Sequence, residues 1–234
     1  TAPSTLQMRG EFAQLVPHQR ATGSSAGSSY IDDFESTQTG IDLRSPYSWF
    51  LASTPYDSSG DALFPEAGLN DDVAYGKNRA LLAWNYIDRL FTQRNSSLAP
   101  GYIKNDLDQL SYPYVREVNY DEIFPDRELS YGESSTIQTL NLSFYPKERG
   151  PYNLDVTGMG SDGLLLHPEK RWGGIMRKLD NTNFENSNIE YIQFWMMDPF
   201  LDEELPNRDG GDLYFNLGEV SEDILKDGYK SYEN

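Results

Sequence analysis

The chain has 234 residues, no cysteine, and 37 acidic against 19 basic side chains, for a formal net charge of −18. Nucleic acids and anionic membrane surfaces are gripped through clustered Lys and Arg, so this balance argues against both as partners. Lack of cysteine excludes disulfides, thiolate metal sites and cysteine nucleophiles, while 13 % aromatic residues point to a folded body with a sizeable core.

Read in order, the sequence predicts strands punctuated by Gly, Pro, Asn and Asp. LQMRGEFAQLV (6–16) alternates and stops at Pro17, so residues 1–21 read as an N-terminal strand belonging to a preceding segment. TGSSAGSS (22–29) is a small-residue linker. Residues 30–234 then read as one domain, cut short at its C-terminal end, since KDGYKSYEN does not close its last element and TAPSTLQMRGEF carries no signal peptide. The predicted elements of this domain begin with the strands YIDDFE and SWFLAS (48–53). A long loop rich in Asp, Ser, Gly and Pro (54–78) follows, then the strand RALLAWNYI (79–87). DLDQL (106–110) reads as a single helical turn, and YVREVNYDEIF (114–124), STIQTLNLSFYP (135–146) and WGGIMRKL (172–179) as strands. IEYIQFWMM (189–197) and DLYFNLG (212–218) complete the strand set. VSEDILKDG (220–228) predicts a helix capped by Ser221, with acids in its first turn and Gly228 as its stop. Many short strands and little helix predict a mainly β fold, a sandwich or barrel, in place of a βαβ array.

The most concentrated apolar stretch is NIEYIQFWMMDPF (188–200). No window reaches the ~18 to 20 apolar residues of a transmembrane helix. As a strand, one face would carry Ile189, Tyr191, Trp195 and Met197, and the other Ile192, Phe194 and Met196. A lipid-facing barrel strand alternates apolar with polar residues; this one is apolar on both faces, the pattern of a central, covered strand. Residues 189–197 are therefore expected to form a buried strand with Trp195 inside.

Motifs for chemistry are sparse. GMGSDG (158–163) matches G-x-G-x-x-G, but a dinucleotide site needs that loop to open a helix; LLLHPEK follows, and Pro168 interrupts, leaving a glycine-rich turn. His18 and His167 are the only histidines, too few for zinc without cysteine and no basis for a triad. Ser161 lacks the glycine a nucleophile elbow requires, Met159 standing in its place. Carboxylate pairs are inevitable among 37 acids and carry no weight for glycoside chemistry. No enzyme activity is expected. Asp32, Asp33 and Glu35 form the candidate metal site, a structural calcium held by oxygen ligands. Asp71-Asp72 and Asp202-Glu203-Glu204 show the same pattern; none has EF-hand spacing, and solvated acidic loops are the plainer reading of all three clusters. Trp49, Trp84, Trp172 and Trp195 offer a sugar-stacking platform in principle, but each lies in an apolar strand pattern that favours core packing for most of them.

YIDDFE with a Trp strand after it, and later IEYIQFWM and GGDLYFNLG, resemble the galactose-binding-like jelly roll of carbohydrate-binding modules. A closer resemblance runs through MRGEFAQLVP, YIDDFEST, NYDEIFP, TLNLSFYPKERGPYN, RWGGIMRKLDNTNFENSNIEYIQFWMMDPF and GGDLYFNLGEVSEDILKDG. Together these resemble the SprA (Sov) family, the giant outer-membrane translocon of the Bacteroidota type IX secretion system, required for secretion and gliding motility. The resemblance implies a β-sandwich of jelly-roll type, part of a membrane-embedded chain but not itself membrane-spanning. It implies a non-enzymatic role in protein export, capping or lining the pore or contacting cargo and accessory proteins, on the periplasmic or the extracellular side. The alternative is a carbohydrate-binding module with a glycan as ligand.

Overall fold

A computed structural model of the chain describes residues 40–56, 63–92, 97–180, 183–184, 189, 191–200 and 210–229. The linker at 22–29, the strands placed before Gly40, and Asp32, Asp33, Glu35, His18 and Asp202-Glu203-Glu204 lie outside the described residues. The chain divides into two compact units, residues 1–40 with 183–190, and residues 41–182 with 191–234. Everything below concerns the second.

Among the described residues the strands are β1 (Phe50–Leu51), β2 (Ala80–Asn85), β3 (Val118–Asn119), β4 (Thr136–Ile137), β5 (Asn141–Arg149) and β6 (Ile175–Met176). They form three two-stranded antiparallel ladders, β1 with β6, β2 with β5 and β3 with β4. The pairing is nested: the first strand meets the last, the second meets the fifth, and the middle two meet each other. Among the described residues helix is confined to the short segments α1 (Gly101–Lys104), α2 (Leu107–Ser111) and α3 (Tyr120–Ile123), with short 3-10 turns elsewhere. The fold is mainly β with little helix, as composition and turn spacing predicted.

The β2–β5 ladder is the main scaffold. Leu81 to Asn85 pair with Tyr145 back to Asn141, and a bulge separates Leu81 from the Ala80–Arg149 pair. The buried apolar side chains of this unit include Ala52, Ala67, Tyr75, Ala80, Leu165, Trp172 and Ile224. The Trp172 ring tilts against Phe64 at 5.3 Å between centroids, and the Arg79 guanidinium lies 5.1 Å over it. Trp172 is only 9 % exposed. Arg79 is wholly buried, and a charge in such a place is sustained only by partners.

The two glycines after Trp172 are explained by close approach. A Cβ on Gly173 would stand 2.8 Å from Leu82 Cβ and 3.2 Å from the Phe144 ring; one on Gly174 would meet Ala52 and Trp172 at 3.2 Å. The W-G-G sequence lets the chain entering β6 pass close against Leu82 and Phe144 of the β2–β5 ladder.

Five predicted elements differ. The described residues of 189–197 form no strand: Tyr191 to Asp198 run without turn or bend and make no ladder with other described residues, and Trp195 is 68 % exposed. The same holds for 212–217. A strand apolar on both faces needs a cover on both, and the described residues supply none. VSEDILKDG is not a helix. Asp223 outcompetes it by accepting backbone N–H groups from Lys226 at 2.6 Å, Asp227 at 3.3 Å and Gly228 at 2.8 Å, curling the chain into a loop. Lys226 and Gly228 take positive φ there, 56° and 84°. Within 114–124 only Val118–Asn119 are extended, because the Glu122 carboxylate accepts the Asn119 N–H at 3.0 Å and starts α3. The described part of the 54–78 loop is also less loop than expected: 3-10 turns at Pro65–Gly68 and Val73–Gly76 press Glu66, Ala67 and Tyr75 inward.

Candidate interaction surface

The residue types that suggested chemistry have structural work instead. In GMGSDG, Gly160 donates to Leu164 O at 2.8 Å, Leu166 donates to Gly158 O at 2.8 Å, and Met159 bridges Leu165. This is a tight antiparallel turn, and no long helix follows it to present an N-terminus to a phosphate. His167 is exposed, adopts a left-handed φ of 56°, and meets Glu169 at 3.3 Å. Ser161 sits exposed on the same turn. Asp72 accepts the Ala74 N–H at 2.9 Å as a cap. Among the described residues no three His, Asp or Glu side chains gather as a metal site.

Arg171 acts as a staple. Its guanidinium donates to Lys77 O at 2.6 Å, Asn78 Oδ1 at 3.2 Å, Gly158 O at 3.3 Å and Leu166 O at 2.7 Å, tying three loops to one planar group. Asn153, buried, donates to Lys77 O at 3.0 Å and Arg79 O at 2.7 Å. A cleft of about 320 Å³ beside them is lined by Val73, Ala74, Lys77, Leu154, Asp155, Val156 and Thr157. The Asp155 carboxylate is held below its ordinary range, chiefly by the Thr157 hydroxyl and also by the N–H groups of Thr157 and Gly158. Its hydrogen bonds close the 155–158 turn, so it is a turn-forming group in this cleft.

The indoles do not form a row. Trp49 donates to Leu43 O at 2.8 Å and Trp84 to Pro46 O at 3.2 Å, both partly buried. Only Trp195 of the four is exposed.

What stands out is the pair of straight segments 191–197 and 211–217. Tyr191, Ile192, Phe194, Trp195, Met196 and Met197 on one, and Leu213, Tyr214, Phe215 and Leu217 on the other, are all exposed. The rings of Phe194 and Phe215 touch, with centroids 5.2 Å apart. A Cβ on Gly211 would meet the Phe200 ring at 4.0 Å. Six residues forward along the first segment is thus matched by four residues back along the second, so the two lie antiparallel. No backbone hydrogen bond ties 191–197 or 211–217 to another of the described residues. Asp198 and Asp212 close one end of the pair and Glu219 follows the other. The exposed apolar side chains of the two segments meet at Phe194 and Phe215, with acidic residues at either end. The sequence pattern placed 189–197 inside, because apolarity on both faces says that cover is needed and not which molecule provides it.

No family model matches the chain, and no curated protein matches it.

Proposed function

We propose that residues 30–234 are a jelly-roll sandwich of galactose-binding-like type, serving as a non-enzymatic soluble insertion in an outer-membrane protein-export channel of the type IX kind. The observation that carries this reading is the exposed apolar pair 191–197 and 211–217, a protein-contact surface on a strongly acidic domain. The nested pairing of β1 with β6, β2 with β5 and β3 with β4 supports the sandwich, since a long hairpin folded over on itself yields a jelly roll. The resemblance of RWGGIMR and YIQFWMMDPF to the export family supports the channel. Net charge of −18 suits a domain beside a pore, because it acts on association and discourages unspecific sticking. The contacts would be with cargo or accessory proteins.

An in-frame deletion of residues 30–218 in a secreting cell tests this. The shortened protein should reach the outer membrane while export stops. Normal export with the deletion in place would refute the role. Glycan-array binding by the isolated chain, lost on Trp195→Ala, would instead favour the sugar-binding alternative.

A further inference from the structure

We propose that the antiparallel pair 191–197 and 211–217 is a receiving edge for an added β-strand, and that its occupant is an extended, apolar polypeptide segment flanked by Lys or Arg. This deepens the export reading, on which it rests for the source of the segment.

The backbone argues for a strand. Both segments run without turn or bend, and their N–H and C=O groups have no ladder partner among the described residues. A straight segment whose donors and acceptors are unpaired among the described residues can be completed by another extended chain, which supplies main-chain hydrogen bonds along its whole length. A glycan or a helix cannot match that spacing. The side chains argue for an apolar occupant: Trp195, Tyr214 and Phe215 present broad rings, and pockets for alternate side chains give such edges their specificity.

Charge selects the flanks. Asp198, Asp212 and Glu219 border the segments, and the intervening sequence LDEELPNRD holds four acids against one arginine. A second copy of this chain would bring the same −18 against itself, which disfavours self-pairing. An anionic bilayer is disfavoured for the same reason. Basic ends on the incoming strand would be drawn to both rims at once.

The test uses the purified 234-residue chain and two labelled peptides of alternating Val and Thr, one with a lysine pair at each end and one with glutamate pairs. Fluorescence anisotropy should give at least about tenfold tighter binding of the lysine peptide at low salt, with the gap narrowing as salt rises. Neighbouring N–H groups of a strand point to opposite sides, so only one of Leu213→Pro and Tyr214→Pro should remove a donor that the peptide needs. One variant should weaken binding about tenfold and the other much less, with both melting as the parent does. Equal binding of the two peptides, or no binding by either, overturns the proposal. Indifference to both proline substitutions does so as well. Concentration-dependent dimerisation that occludes the peptide would make a second copy the occupant and would also overturn it. Loss of export on deletion together with no peptide binding would leave the channel role standing and remove this inference alone.

Discussion

Gly150→Ala probes the scaffold where it is tightest. A Cβ at this position would stand 2.3 Å from the carbonyl oxygen of Ala80 and 2.6 Å from its carbon, against ordinary contacts of 3.4–4 Å. The overlap is with backbone, so no rotamer change relieves it. The Ala80 peptide is itself pinned: its N–H donates to Trp172 O at 2.8 Å, and the neighbouring Arg79 O accepts from Asn153 at 2.7 Å and from Gly150 at 3.3 Å. Moving the two strands apart by the required ångström would break or stretch about two of these bonds, at about 1 kcal/mol each. Overpacking strain of about 1–3 kcal/mol adds to that. The expected loss is about 3–5 kcal/mol, read from the urea midpoint by tryptophan fluorescence at an unchanged slope. Gly68→Ala, where nothing lies within 4 Å of the new Cβ and φ is ordinary, should stay within about 0.5 kcal/mol and serves as the control. A loss below about 1 kcal/mol for Gly150→Ala would mean that the β2–β5 edge and the Asn153 turn do not meet as described.

Other perturbations separate the frame from the open surface. Trp172→Ala should cost about 3–5 kcal/mol as a large core truncation, whereas Trp195→Ala should cost less than about 1 kcal/mol because its ring is mostly in water; paired urea titrations check both. Asp223→Ala removes the acceptor of three backbone N–H groups and loosens the loop that seats buried Ile224 and brings Lys226 Nζ to 2.5 Å from Ala67 O. A loss of about 1–3 kcal/mol is expected by the same titration. Asp42 titrates at about 2, lowered chiefly by its hydrogen bond with Arg44. A carboxyl depressed in the folded state stabilises above its unfolded value of 3.8 and loses that contribution as pH falls from there through about 2. Both groups are half exposed, so Asp42→Asn should change the acid-unfolding profile only slightly and only in that window, as circular dichroism would show.

Local chemistry made much of the scaffold legible. The apolar run at 79–87 became β2, the C-terminal part of the strand predicted at 135–146 became the start of β5, and the turn predicted at DLDQL formed with its first residue, Asp106, as cap, accepting the Gln109 N–H at 2.9 Å. WGGIMRKL kept a strand only at Ile175–Met176, and only the packed neighbours explain why both glycines before it are required. Errors arose where two local solutions compete. At 119–123 a Glu three residues past Asn119 turned an apparent strand into a helical turn, and at 221–228 Asp223 gathered the N–H groups that a helix would have used. The stretch 189–197 failed for a different reason. Its composition is that of a buried strand, but burial is a property of two surfaces, and the second surface is absent from the described residues. The proposed calcium ligands Asp32, Asp33 and Glu35 lie outside the described residues, so the cation reading rests on residue type alone.

A docking edge requires open backbone, and amide hydrogen exchange reads that directly. In the free chain, amides of Tyr191–Met197 and Leu213–Leu217 should exchange near the rate of an unstructured peptide. Those of Leu81–Trp84, within the β2–β5 ladder, should be slowed by orders of magnitude. Addition of the lysine-flanked peptide should slow the first group and leave the second unchanged. Protection of Tyr191–Met197 comparable to that of Leu81–Trp84 before any partner is added would show these residues already paired within the chain, and would contradict the account.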